Sequence, residues 1–330
     1  MKRLFSYALL SLITGTYLLT GSSSFAQESS LSVYPPVIEV QATPPSSPSL
    51  PIFIQNNSND EVNLTIELIP FKTNNVSGDI QLILTEQENE KSKYIKKRVQ
   101  FLDKDIKADK INLQPLEGRE ILLNINLAKG DPPGDYYYSI IFTNQRLFEN
   151  DSSSSTIPHS IATNLLLSIG PKQKSLGGIS EFKTSYFKTQ GPVDFELKLH
   201  NASSHLIVPT GSVIITNIFG QEVGNVDILP QYVLAGADRY LLDNQKSTPS
   251  ATTTLESLPT TTWSEKFLLG WYKATALITL DDNGEKIQKS TSFVAFPLYM
   301  FFPLFIAIFI IISVYLRVRK AIKLKHIGKK

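Results

Sequence analysis

Three histidines stand in the body of the chain, His159, His200 and His205. His200 and His205 flank the turn NASS, a spacing at which two imidazoles can share a metal ion. A structural zinc site needs four ligands, commonly including cysteines. The chain has no cysteine, and no third ligand stands near this pair. Both histidines therefore read as turn residues. Serines are abundant, but none sits in a Gly-x-Ser-x-Gly elbow. No phosphate-binding loop or dinucleotide fingerprint occurs. The acid pairs Asp103/Asp105 and Asp281/Asp282 fall in charged turns, with nothing in the sequence to set them across a cleft. The expectation is a protein that is not an enzyme and has no metal and no cofactor.

Aromatic residues offer a different chemistry, that of contact. Residues 131–142 read DPPGDYYYSIIF, and residues 268–280 read LLGWYKATALITL. Each has Gly-x-Tyr ahead of a β-rich run: Gly134-Asp135-Tyr136 and Gly270-Trp271-Tyr272. In immunoglobulin-like sandwiches a tyrosine at this place sits at a corner, and its hydroxyl bonds back to upstream backbone. Tyr136 and Tyr272 are expected to be structural corners of this kind. Strand parity then sends Tyr138, Ile140 and Phe142 inward, with Ala274, Ala276, Ile278 and Leu280 in the second copy. Tyr137 has the opposite parity. It is the tyrosine of the three expected to be exposed and able to contact a ligand.

The elements that carry these residues are strands. PIFIQNNSNDEVNLTIELI has an apolar run, a polar turn, then alternation at Val62, Leu64, Ile66 and Leu68. VDFELKLHNASSHLIVPTGSVIITNIF repeats the order, with Phe195, Leu197 and Leu199 on one face. Alternation of period 2 around turn clusters is the strand signature. LQPLEGREILLNINL and ILPQYVLAGADRYLL then lead each half to its Gly-x-Tyr strand. A polar turn and a last strand follow, IATNLLLSIG in the first half and EKIQKSTSFVAF in the second. The same signals twice over mark a duplicated architecture. About seven antiparallel strands per half predict an all-β chain of two tandem immunoglobulin-like β-sandwiches, residues 27–170 and 171–295. Two segments fall outside this pattern. EQENEKSKYIKKRVQFLDKDIKADK reads as a solvated mixed-charge insertion or a protected edge. Residues 246–263 read as a long Ser/Thr/Pro-rich loop.

Both ends address a compartment. Lys2 and Arg3, an apolar run and Ser24-Phe25-Ala26 make residues 1–26 a secretory signal peptide. Residues 296–316 carry no charge, about the length needed to cross a bilayer. The basic tail 317–330 follows. Positive charge beside a span stays cytoplasmic. The expected placement is the cell membrane, single-pass, with the N-terminus outside and the C-terminus cytoplasmic. Outside these ends, 23 basic residues face 30 acidic ones. That balance disfavours nucleic acid as a partner.

The first half resembles the N-terminal domain of the WxL-interacting proteins of Gram-positive bacteria. The matching pieces are LSVYPPVIEV, IFIQNNSNDEVNLTIELIPFKTNNVSGDIQL, LQPLEGREILLNINL and DPPGDYYYSIIF. The second half matches through LHNASSHLI, GNVDILP and GWY. FKTNNVSG, residues 71–78, resembles that family's threonine-asparagine-glycine turn. The resemblance implies a membrane-anchored bacterial surface protein, with a first domain associated with peptidoglycan and a second with protein partners. It brings Asn74 and Asn75 beside Tyr137 as expected contacts. Two functions stand open. In one, the sandwiches bind cell-wall peptidoglycan or another surface protein. In the other, the chain is a chaperone-like assembly factor for surface structures, acting by β-strand addition.

Overall fold

A computed structural model describes residues 30–74, 78–83, 85–144, 160–244, 258–281 and 284–327. The chain is mostly β, in four sheets. The first half holds β1 (Leu31–Tyr34), β2 (Val37–Ala42), β3 (Ser49–Asn56), β4 (Val62–Thr73), β5 (Ile80–Leu82) and β6 (Val99–Asp103). It continues through β7 (Ile106–Lys107), β8 (Lys110–Leu113), β9 (Gly118–Ile125), β10 (Gly134–Asn144) and β11 (Ser160–Ile169). One sheet has the order β1-β3-β9-β6-β7, the other β2-β11-β10-β4-β5 with β8 also on β4.

The second half holds β12 (Gly177–Lys183), β13 (Phe187–Lys188), β14 (Val193–Asn201), β15 (Thr210–Asn217) and β16 (Glu222–Asp227). β17 (Asp238–Tyr240), β18 (Thr261–Trp263), β19 (Gly270–Thr279) and β20 (Lys286–Ala295) complete it. Its sheets run β12-β14-β17, with β18 also on β14, and β13-β20-β19-β15-β16. No strand is shared between the halves among the described residues. Each half closes over its own apolar cluster, one containing Ile52, Leu123, Tyr138 and Phe142, the other Phe195, Val213, Ala276 and Phe293.

The halves repeat one another in detail. In each, the first stretch of chain crosses from one sheet to the other. β1 pairs β3 antiparallel, then β2 runs parallel to the last strand, β11. β12 pairs β14 antiparallel, then β13 runs parallel to the last strand, β20. The expectation of purely antiparallel strands is corrected by these two pairings. They need the chain to change sheets, which alternation along a strand does not report. The strands also number more than seven in each half.

Buried asparagines pin the same turn twice. Asn56 closes β3 and is fully buried; its side-chain amide donates to Asp60 O at 2.7 Å and Gln114 O at 2.9 Å. Its Oδ1 accepts from Ser58 N at 3.0 Å. Asn201 closes β14 and is equally buried. Its amide reaches the carbonyls of His205, Val233 and Leu234 at 2.9–3.0 Å, and its Oδ1 accepts from Ser203 N at 2.9 Å. Each side chain thus ties its own turn to a loop far along the chain.

Those partner loops match too. Glu117 N donates to Gln114 O, and Ala237 N to Leu234 O, both at 3.1 Å. Each loop has one residue in the left-handed region, Leu116 at φ 59° and Gly236 at φ 68°. Left-handed backbone costs a residue with a side chain about 1–2 kcal/mol. Leu116 is 61% exposed, so its side chain returns little. Leu116→Gly is expected to stabilise the protein by roughly 0.5 kcal/mol, the relief of strain less glycine's added unfolded freedom. A denaturation midpoint that falls would contradict this.

The mixed-charge insertion is not a solvated excursion; in line with the edge alternative, its strands β6 and β7 end one sheet. It folds into a 3₁₀ turn (Thr85–Gln87), the helix α1 (Glu90–Lys96) and strands β6 to β8. Asn89 caps α1, accepting from Ser92 N at 2.8 Å. Ile95 is fully buried in the core of the first half. The helix is tied down at its far end. Arg98 reaches Asp131 Oδ1 at 2.8 Å, Tyr94 donates to the same oxygen at 3.0 Å, and Ala128 N donates to Asp131 Oδ2 at 2.8 Å. Burial pushes the Asp131 carboxyl upward, but these partners together hold it below the ordinary aspartate value. The Glu and Lys residues of the helix itself lie toward water while Ile95 enters the core and Glu88, just before the helix, is buried, so the composition of the stretch concealed its packing.

The expected placement as a single-pass cell-membrane protein, N-terminus outside and C-terminus cytoplasmic, is corrected. A crossing needs about 20 sustained apolar residues. Among the described residues no helix is long and apolar enough to cross a membrane. Leu298–Ile327 form the helix α2, which contains Pro303. The expected signal peptide lies outside the described residues, as does most of the Ser/Thr-rich loop.

Candidate functional site

Two of the expected contact residues, Tyr137 and Asn74, lie on the line where the two halves meet. Tyr137 lies on β10 opposite Leu166 of β11. Both point away from the core of the first half. That outer face is covered by the second half: Phe71 and Leu166 pack with Leu206 and Leu234, and Tyr137, Val37 and Tyr232 flank them. The Tyr137 and Phe71 rings lie 6.0 Å apart, centre to centre.

Hydrogen bonds reinforce this joint. The Tyr137 hydroxyl donates to Asp135 Oδ2 at 2.7 Å and accepts from Ala235 N at 3.1 Å. The same carboxylate oxygen accepts from Leu206 N at 2.6 Å. One carboxylate and one phenol therefore satisfy two backbone donors of the second half. Burial, with the Asp135 charge second, raises the Tyr137 hydroxyl far above the usual tyrosine range, so it stays protonated. Arg239 of the second half donates to Tyr232 O at 2.7 Å and lies close to Gly78 in the β4–β5 turn of the first.

Tyr137 is thus not the exposed contact that parity suggested. The parity is as read, but a second structure covers the outer face. A signal was available: LLLS in β11 is apolar on both parities, as expected of a strand buried on both faces. Asn74 begins the β4–β5 turn, with its N–H donating to Asp79 O at 2.8 Å and its carbonyl accepting from Gly78 N at 2.9 Å. It lines, with Tyr137, Gln81 and Gly236, an open cleft of about 420 Å³ at the joint. Asn75 lies outside the described residues.

The two corner tyrosines stay within their own halves. Tyr136 is buried and donates to Pro132 O at 3.0 Å. Tyr272 donates to Leu269 O at 3.2 Å and accepts from Leu269 N at 3.1 Å. Its ring stacks on Phe293 at 5.2 Å. Residues with possible metal or catalytic chemistry are used otherwise. His200 Nδ1 lies 2.8 Å from Asp238, and His205 Nε2 lies 3.3 Å from Ser175 Oγ. Asp103 pairs with Arg119, and Asp281 with Lys172. Among the described residues no three potential metal ligands come together. His159 lies outside them.

Sequence reasoning missed a second feature, the outer edge of β20. β20 pairs β19 along its whole length, from Lys286 to Ala295. On its other side β13 covers only Val294 and Ala295. Among the described residues no strand pairs with the outer edge at residues 286–293. Val294 N points outward, donating to Tyr186 O at 2.8 Å. Alternation then turns the backbone N–H and C=O of Lys286, Gln288, Ser290 and Ser292 outward as well. Where this open edge meets β13, aromatic rings stand exposed. Tyr186 and Trp271 meet edge-on at 6.3 Å, with Phe187 beside them.

No protein-family model matches the chain, and no curated protein matches it in sequence. Similar solved structures include the YadV chaperone, at 10% identity and a TM-score of 0.34, covering 80% of this chain and 99% of that one. The E. coli chaperone DraB matches at 11% identity and 0.33, covering 79% and 95%. A structure of the Salmonella enterica SafA pilin in complex with the SafB chaperone matches at 10% identity and 0.32, covering 80% and 96%.

Proposed function

We propose that this protein is a non-enzymatic binding protein of two immunoglobulin-like sandwiches that holds another polypeptide by strand addition. Of the two functions the sequence leaves open, this is the assembly-factor reading. The observation that carries it is the unpaired edge of β20 over residues 286–293. Such an edge presents a ready row of donors and acceptors to an extended chain. The exposed Tyr186, Phe187 and Trp271 at its end supply the aromatic contacts that protein interfaces favour. The joint supports the same reading: by fixing one half against the other it holds the edge in a set direction.

A proline at an outward-facing edge position tests this directly. Gln288→Pro removes an N–H that no described strand uses, so the ladder to β19 should survive. A photo-cross-linker placed at Ser292 in cells of the source organism is expected to trap polypeptide. Gln288→Pro should abolish that adduct while the melting temperature moves by only a few degrees. If the protein instead binds purified peptidoglycan, and Gln288→Pro changes neither that binding nor the cross-links, the wall-binding reading replaces this one.

A further inference from the structure

We propose that the open edge of β20 selects for an extended strand with a carboxylate opposite Lys289; this rests on the strand-addition reading above. Lys289 lies in the middle of the open stretch and has the inward parity of Ile287 and Phe293. Its ammonium crosses to the opposite sheet, donating to Ile179 O at 3.1 Å and Ser180 O at 2.8 Å on β12. Both partners are neutral carbonyls. No carboxylate pairs with Lys289 among the described residues.

An inward-pointing lysine on an edge strand guards it against chance pairing. An incoming strand with an apolar residue opposite would cover the ammonium and strip its remaining water, leaving the charge with two neutral carbonyls and no counter-ion. A carboxylate there would form a charge-assisted bond and offset that penalty. The position favours such a pair. Lys289 directs its own backbone bonds toward Ala276 of β19. Against an antiparallel newcomer it therefore falls at a non-hydrogen-bonded site, where facing Cα atoms approach to about 4.5 Å. The exposed positions of the open edge are Lys286, Gln288, Ser290 and Ser292, none of them acidic. One residue thus repels neutral and basic strands and rewards an acidic one, which is how selectivity is built from a repulsive element.

The occupant is an extended segment of another polypeptide, apolar at alternate positions, with Asp or Glu at its centre. The test uses the full chain and fluorescent synthetic peptides of about eight residues, alternating Val and Thr, with central Glu, Gln or Lys. Anisotropy is expected to show the Glu peptide binding about tenfold tighter than the Gln peptide, and the Lys peptide weakest. Lys289→Glu should invert the order, and Lys289→Gln should flatten it, with thermal melts checking that both variants fold. Equal affinities for the three peptides, or a preference that survives Lys289→Gln, would overturn the acid rule and leave strand addition standing. Absence of peptide binding together with absence of the Ser292 cross-link would overturn both.

Discussion

Asn201→Ala is expected to destabilise the second sandwich by about 3–5 kcal/mol. The substitution takes the partner from three buried carbonyls and one N–H at once. Each unsatisfied buried group costs about 1–3 kcal/mol, and water entering the vacated space would return part of the total. Few domains have more than about 15 kcal/mol to lose. Asn56→Ala should cost less, about 2–3 kcal/mol, because Ser58 and Asp60 lie nearer the surface and water can replace the amide. Urea titration of the whole chain, followed by a probe in each half, measures the two effects separately. Asn201→Asp is the sharper variant: it keeps the acceptor for Ser203 N but sets a charge against three carbonyl oxygens, and should be at least as damaging. A loss below about 1 kcal/mol for Asn201→Ala would mean that the turn holds by its backbone alone.

Tyr137→Ala is expected to uncouple the two halves. The ring leaves the cluster of Phe71, Leu166, Leu206 and Leu234, and large-to-small changes of a packed aromatic cost about 3–5 kcal/mol. Loss of the hydroxyl leaves Ala235 N without its acceptor and Asp135 with Leu206 N as its remaining donor at the joint. The loss falls on the contact between the halves, since the core of the first half contains Tyr136 and Tyr138 but not Tyr137. Calorimetry should therefore separate into two transitions for the variant where the parent chain shows greater overlap. Tyr137→Phe keeps the ring and should cost about 1–2 kcal/mol, with the halves still melting together. Had Tyr137 been an exposed ligand contact, neither change would disturb the melt. A Tyr137→Ala melt identical to that of the parent would remove the joint from this account, and with it the fixed direction of the β20 edge.

Much of this was legible in the chain itself. Period-2 alternation is a local property of strands, so the all-β character and the inward order Tyr136, Tyr138, Ile140 and Phe142 follow from spacing alone. The repeat was legible because each half spends the same residue types at the same turns: asparagine after a run of alternating apolar residues, then Gly-x-Tyr. Asn56 and Asn201 were visible as turn residues. What hid their weight is that their acceptors at Gln114, Val233 and Leu234 lie dozens of positions away.

Tertiary structure decided the rest. Parity says which side chains leave the core of a sheet, but it does not say what covers the other face. For Tyr137 and Leu166 the answer is the second half of the chain. The charge-rich stretch 86–110 gave no alternation to follow, because a short helix can bury Ser92 and Ile95 while its charged residues stay at the surface. The open edge of β20 was equally silent. Its residues read as an ordinary strand, and an edge is defined only by the absence of a neighbour. That neighbour would be β13, which joins the edge for two residues before the chain turns away to β14. Sequence determined which residues form strands and which way they face; packing of one strand on the next, and of one half on the other, decided which faces stayed available.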